Sequence, residues 1–205
     1  MMNTEKGLLI VISGPSGAGK GTIYNKVLAL RPEIRKSISV TTRAPRPNEV
    51  EGVHYYFRTI EDYQKMIAEG AFLETASVYS NYYGTPKAHV FEMLAAGNDV
   101  MFEIDTYGNK QIRAKYPECV SIFIMTPTFA DLEHRLRSRN TETEDSINTR
   151  LGNARRELGE YRDFDYIVFN DDADSAALQV AAIIDAEKAR MFRNEARVNE
   201  LLLKK

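Results

Sequence analysis

Several groups of residues in this chain of 205 have the types and spacing to work on phosphate. The first is the run Gly14, Pro15, Ser16, Gly17, Ala18, Gly19, Lys20, Gly21, Thr22. Glycines let a loop fold back so that its N–H groups converge on an anion. A helix start adds unsatisfied N–H groups and a partial positive charge. Lys20 adds a mobile cation for outer phosphates. The pattern Gly-x-x-x-x-Gly-Lys-[Ser/Thr] defines such loops. This chain departs from it at the last place, where Gly21 stands and Thr22 follows. Which hydroxyl, if any, helps to hold Mg²⁺ is left open.

The second group is Arg43 and Arg46 in the proline-stiffened stretch Thr41-Thr42-Arg43-Ala44-Pro45-Arg46. Two guanidinium forks can converge on one phosphate, although from this segment alone two solvated arginines read equally well. Tyr55 and Tyr83 can add phenol donors, or serve as core aromatics with a wet edge. Glu74 sits in a predicted strand, where a carboxylate usually faces solvent. Glu103-Ile104-Asp105 ends a predicted buried strand; its carboxylates read as a metal shell or ligand contacts, with a helix cap by Asp105 as the plainer alternative. Arg135, Arg137, Arg139 and Arg150 bracket the polar stretch 138–145. Arg135 and Arg139, at i, i+4, share a helix face. A solvated charge run is the usual explanation, yet cations carried over a transferring phosphoryl group lower its barrier.

Elements must place these residues. Leu8–Ile12 is a continuous apolar run, the mark of a strand buried on both faces. After the glycine loop, Ile23, Val27 and Leu30 recur at i, i+4, i+7 and give one buried helix face. Strand, loop, helix is the context a phosphate loop requires. Downstream, 37–42 reads as a strand, 43–52 as a loop and 54–57 as a short strand. Ile60, Tyr63 and Ile67 mark a small helix stopped at Gly70, followed by a strand over 72–79 and a turn and strand edge over 81–84. Residues 37–84 thus form a compact, mostly antiparallel insert. Alternation then returns. Pro86 opens a helix that closes at Gly97. Strand 100–104, a helix through Tyr116, strand 120–125 and helix 129–139 follow. The polar stretch, without apolar anchors, is expected to be a mobile loop. Ile147, Leu151, Ala154 and Leu158 give another helix face, Tyr166–Phe169 the last strand, and the chain from Asp174 is helical. Strands alternating with helices predict an α/β, doubly wound parallel sheet. Ligands then sit beyond the carboxyl ends of its strands.

Bulk composition sets limits. Hydrophobic residues are 43% and charged residues 27%, ordinary for a globular protein. A net charge of −2 gives no general attraction to nucleic acid or an anionic membrane. The single cysteine, Cys119, excludes an intrachain disulfide and fits a reducing compartment; its place beside an apolar strand makes it a buried structural thiol. No signal-peptide core and no membrane-length apolar run is present, so a cytoplasmic protein is expected, with no nucleic acid and no membrane as partner. The last helix packs on the core or on another subunit, which leaves a homo-oligomer open.

Taken together these residues resemble guanylate kinase, a nucleoside monophosphate kinase with a P-loop fold, from about Gly7 to about Ala189. The resemblance is carried by Ser-Gly-Pro-Ser-Gly-Ala-Gly-Lys at 13–20, Ser-Val-Thr-Thr-Arg-Ala-Pro-Arg at 39–46, Ser80-Asn81-Tyr82-Tyr83-Gly84, Asp105 after a strand, and Val168-Phe169-Asn170-Asp171-Asp172. It implies phosphoryl transfer from ATP to GMP, with dGMP alongside, giving ADP and GDP, and Mg²⁺ as the helper ion. It implies a P-loop NTPase-type parallel sheet with helices on both faces, formed by 1–36, 85–137 and 147–205. To this are added a small mixed or antiparallel GMP-binding insert, 37–84, and a lid loop, 138–146. By resemblance, Ser39, Glu74, Thr85 and Asp105 contact guanine, while Arg43, Arg46, Tyr55 and Tyr83 grip the GMP phosphate. Lys20 and the 14–22 backbone hold the ATP phosphates, with Asn170 near the adenine side. Arg135, Arg139 and Arg150 match the catalytic and lid arginines, beside Lys20 and Arg43. The chain differs from the family at Gly21 for the usual serine, Glu103 for a frequent aspartate, Thr75 for an aromatic, Tyr107 for glutamine, and Ser138-Arg139-Asn140 for Gly-Arg-Gly. A guanylate-kinase-like interaction module without catalysis is the rival from another class; the intact loop, Lys20 and the arginines speak against it. A kinase for another monophosphate is the second rival, opposed by Glu74 and the double-arginine loop.

Overall fold

The computed structural model of the chain describes residues 6–78, 80–138 and 144–203. In chain order its first half comprises β1 (Leu9–Ser13), α1 (Lys20–Leu30), β2 (Arg35–Lys36), β3 (Val40–Thr41), β4 (Tyr56–Phe57), α2 (Ile60–Ala68), β5 (Phe72–Val78) and β6 (Asn81–Pro86). The second half comprises α3 (Lys87–Ala95), β7 (Val100–Glu103), α4 (Thr106–Lys115), β8 (Val120–Met125), α5 (Phe129–Arg137), α6 (Glu144–Leu158), β9 (Tyr166–Phe169), α7 (Ala173–Lys188) and α8 (Met191–Leu203), with a 3₁₀ turn at Tyr161–Asp163.

Five strands form a wholly parallel sheet in the order β2-β7-β1-β8-β9. β1 is its centre, and all five of its residues are buried. Its side chains alternate between two layers, as the strand period demands. Ile10 and Ile12 meet Ile23 and Val27 of α1 and Ala176, Val180 and Ile184 of α7. Leu9 and Val11 meet Val90 and Leu94 of α3 and Ile112 of α4. Helices therefore cover both faces, and the parallel strands read as near-continuous apolar runs because neither face meets water. From β1 the chain moves to one edge for β2 and β7, then crosses β1 to lay down β8 and β9. The carboxyl end of β1 is thus the switch point where a crevice must open.

A second sheet of four strands, in the order β4-β3-β6-β5, stands apart. β3 pairs parallel to β4, and β6 runs antiparallel to both β3 and β5. Val40, Tyr63 of α2 and Phe72 form its small core, and the Tyr63 hydroxyl donates to the Tyr83 carbonyl at 2.7 Å. Helix α4 joins the two sheets by gripping the β5 backbone. Gln111 accepts from Thr75 N (3.1 Å) and donates to Thr75 O (2.8 Å), while Lys115 Nζ donates to the carbonyls of Phe72 and Leu73 at 3.0 and 2.7 Å.

Several boundaries differ from the sequence reading. The strand expected over 37–42 shrinks to Val40–Thr41, because only there does a neighbour offer a ladder. The insert boundary expected at 84 falls inside β6, which runs through Thr85 to Pro86; Pro86 is the cap before α3 rather than its first turn. Of the lid loop expected over 138–146, residues 144–146 already belong to α6, whose acidic first turn Glu144 and Asp145 suits a helix N-terminus. Residues 139–143, with Arg139, lie outside the described residues. The single terminal helix is two, parted near Ala189–Arg190, and α8 buries none of its side chains fully. Cys119 is a buried free thiol whose pKa burial pushes up to about 11. Among the described residues no helix is long and apolar enough to cross a membrane.

Candidate active site

The loop after β1 folds back to meet α1, and Gly19 caps that helix with φ of 87°. A side chain there is doubly excluded: a Cβ would stand 2.3 Å from Asn170 Nδ2. Lys20, the first residue of α1, turns its Nζ onto the loop and donates to the carbonyls of Gly14 (2.6 Å) and Pro15 (3.1 Å). The loop thereby closes into a ring at the start of a helix, the setting in which backbone N–H groups hold phosphate.

Four residues from distant segments brace this ring, directly or through one another. Asn170, directly after β9 and 3% exposed, donates its Nδ2 to the Ala18 carbonyl at 2.7 Å. Arg135 of α5 donates to the Asn170 carbonyl at 2.8 Å. Arg150 of α6 donates to Ser16 Oγ at 3.3 Å, and Glu157, two turns further along α6, accepts from Ser16 N at 3.3 Å. Burial raises the Glu157 pKa while Lys20 pulls it down. Asn170, expected beside the adenine, is in this geometry a strut under the loop. Asn170→Ala is expected to leave the Ala18 carbonyl unpaired and to lower stability by about 1–3 kcal/mol. Thermal unfolding and triphosphate affinity check this; if neither changes, Asn170 is no strut.

Across the crevice stands a second cluster. Arg43 forms a two-pronged pair with Glu49, Nη1 to Oε2 at 2.9 Å and Nη2 to Oε1 at 2.8 Å. Glu49 also accepts from Arg46 N at 2.8 Å. The hydrogen bond from Arg43, and then that from the Arg46 backbone, hold the Glu49 carboxyl at about 2. The Arg43 guanidinium lies 5.5 Å above the Tyr55 ring, reaches the Tyr83 hydroxyl, and is driven well above its ordinary pKa by Glu49. Tyr55 and Tyr83 themselves meet edge-on at 6.0 Å. Arg43, Tyr55 and Tyr83 are thus one assembly, with Arg46 exposed beside it on the same loop. A cleft of about 220 Å³ runs from Ser39 and Tyr55 of this insert to Glu103 of the core sheet.

Glu74 is the outlier. On β5 it is only 4% exposed, where an unpaired carboxylate is costly. Thr85 donates its hydroxyl to Glu74 Oε1 at 2.6 Å. Thr85, expected by resemblance to contact guanine, here has its hydroxyl on Glu74. Burial raises the Glu74 pKa, the Thr85 bond lowers it, and Asp105 raises it again. Asp105 caps α4 by accepting from Gly108 N at 2.7 Å, the plainer of its two sequence readings. A Cβ on Gly108 would stand 3.3 Å from both Asp105 Oδ1 and Glu74 Oε2, so the two carboxylates converge on the start of α4. At the end of β7, Glu103 has a pKa raised by burial, with Lys20 and then Lys36 acting against it.

Glu49 and Glu157 carry no motif and escaped the sequence reading. A signal existed for Glu157, since it and Arg150 are i, i+7 on one helix face. For Glu49 there was only its nearness to Arg46 in the loop.

A family model described as guanylate kinase matches residues 6–187. A guanylate kinase of Symbiobacterium thermophilum is 47% identical over all of this chain and 97% of its own length. One of Caldanaerobacter subterraneus is 48% identical, over 93% of each chain. Among solved structures, the crystal structure of guanylate kinase from Anaplasma phagocytophilum superposes with a TM-score of 0.78 at 31% identity, covering all of this chain and 97% of its own.

Proposed function

We infer, since the chain belongs to the guanylate kinase family, that its crevice is where a phosphoryl group passes from ATP to GMP. The protein is a P-loop kinase, an ATP:GMP phosphotransferase of purine nucleotide metabolism that yields ADP and GDP. In the proposed division of labour the 14–22 loop and Lys20 hold the donor phosphates. Arg43, Arg46, Tyr55 and Tyr83 hold the acceptor phosphate. Glu74 reads the base, and Asp105 and Ser39 sit beside it. The assigned contacts are to base and phosphate, so dGMP is an acceptor too.

Glu74 carries the specificity. Guanine presents N1–H and a 2-amino group, two adjacent donors, and one ionised carboxylate can accept both. Adenine lacks this pair and would leave a desolvated carboxylate unmatched, at a cost of about 1–3 kcal/mol or more. Thr85 holds Glu74 in place for that role.

The acceptor phosphate is already a nucleophile, so no general base is assigned. Binding of GMP draws the insert toward the core, and binding of ATP draws α5 and α6 over the loop; both exclude water that would otherwise hydrolyse the donor. Arg135 and Arg150, already on the loop or its strut, supply charge to the transferring group. The residues at hand also fit a magnesium ion. Among the described residues no group of three metal-capable side chains occurs. Mg²⁺ takes one or two carboxylates and leaves its remaining positions to phosphate and water. Glu103, at the end of β7, is the residue that would offer one, and the ion, when bound, would neutralise donor phosphate charge.

A coupled assay with ATP tests the reading. ADP should form with GMP, and AMP should be poorer by about five- to 150-fold, the factor equivalent to 1–3 kcal/mol. No ADP with GMP would remove the kinase function, and faster turnover of AMP or UMP would remove the role of Glu74.

A further inference from the structure

We propose that Gly21 and Glu103 are a compensated pair, in which the Glu103 carboxylate takes over the metal-facing place that a loop hydroxyl holds in the standard pattern. The proposal rests on the reading above, in which the loop binds a magnesium–triphosphate.

The usual loop carries Ser or Thr after its lysine, and that hydroxyl meets Mg²⁺. Here position 21 has no side chain. β1 and β7 are parallel neighbours with Ile12 opposite Glu103, so Glu103 leaves the sheet where the loop begins. Gly21 is the second residue of α1. A Cβ built on it would stand 3.3 and 3.4 Å from the two carboxylate oxygens of Glu103 and 3.7 Å from its Cδ. The space a side chain at 21 would use is therefore the space this carboxylate faces.

The lengths agree. Glutamate is one carbon–carbon bond, about 1.5 Å, longer than aspartate. Position 21 is shorter than serine by one carbon and its hydroxyl. What is missing on the helix is supplied from the strand. Asp105 does not compete for this place, since one of its oxygens caps α4. A carboxylate is also the better ligand for a hard cation, so the exchange loses no affinity.

A double-mutant cycle tests the pair, read as Mn²⁺ affinity by electron paramagnetic resonance with a non-hydrolysable ATP analogue bound. Gly21→Ser crowds Glu103, and Glu103→Asp withdraws the oxygen; each should weaken Mn²⁺ binding about tenfold. Gly21→Ser with Glu103→Asp rebuilds the standard pattern and should return to within about threefold of the parent, a coupling in the range of contacting residues. Gly21→Ala with Glu103→Asp adds bulk without oxygen and should not recover. Additive losses, recovery by the alanine, or tighter Mn²⁺ binding on Gly21→Ser alone would each overturn the pair and leave the GMP assay untouched. A parent protein that takes no Mn²⁺ with the analogue would overturn both this proposal and the magnesium assignment beneath it. Thermal melts of the parent and the four variants show that the comparison is among folded proteins.

Discussion

Lys20→Ala lowers kcat by about two to three orders of magnitude at saturating ATP and GMP, the size of effect seen when one preorganised charge donor is removed from a transition state. Lys20 sits at the first position of α1 with its Nζ on the carbonyls of Gly14 and Pro15. The alanine loses the cation, and it also loses the two bonds that close the loop into a ring. Each bond contributes about 0.5–1.5 kcal/mol, so the melting temperature falls by only a few degrees in a chain of this size. The fold survives because Asn170 still holds Ala18 from below. Lys20→Arg does not restore the rate, since a planar fork cannot replace a compact ammonium inside a ring of carbonyls. Steady-state kinetics with a parallel melt separates these effects. A kcat within about threefold of the parent would take Lys20 out of the transition state.

Glu74→Gln raises KM for GMP by about 10- to 100-fold and leaves KM for ATP nearly unchanged, as loss of a charged hydrogen-bond acceptor requires. The pH dependence follows from the same carboxylate. Burial raises its pKa, and only the ionised form accepts both guanine donors. KM for GMP in the parent therefore rises as pH falls through that elevated pKa, sooner than an ordinary glutamate would cause. In Glu74→Gln that limb is absent. The stability sign is opposite. A raised folded-state pKa means that the folded chain holds a proton which the unfolded chain has released. The contribution of Glu74 to stability is then present below the ordinary glutamate pKa and is lost as pH rises through the folded value. At neutral pH the charged residue is a cost to the fold, so Glu74→Gln melts no lower than the parent while binding GMP worse. Equal effects on GMP and ATP would place Glu74 outside the base site.

What the sequence revealed was whatever is decided locally. β1, its loop and α1 are contiguous, and an apolar run, three glycines and a period of 3.6 each leave a mark in the residue string. The two sheets and the alternation were legible for the same reason. β2 was not, because Arg35 and Lys36 are exposed and polar; they are a strand only through the β7 ladder. Ser37 to Ser39 have strand-like composition but only single bonds to Met101 and Tyr56 rather than a ladder, and composition cannot supply one. At the site, residues in motifs were named and residues acting through space were missed. Glu49 and Glu157 work by reaching Arg43 and Ser16, contacts that exist only once loops and helices have been assembled. Thr85 and Asn170 were named, but their observed partners are the protein's own groups.

Gln111 and Lys115 tie α4 to β5 mainly through peptide groups, with a long 3.5 Å bond from the Thr75 hydroxyl to Gln111 beside them. A peptide N–H or carbonyl is the same whatever side chain it carries. These peptide bonds of the joint are therefore indifferent to the side chains of β5, while Leu73 adds a packing contact in the layer that holds Ile112 of α4. Exchanges at Glu74 leave the peptide bonds from Gln111 and Lys115 in place, so the insert stays fastened while the base-facing carboxylate changes. The part of the molecule that chooses the nucleotide is in this sense free to evolve separately from the part that attaches it.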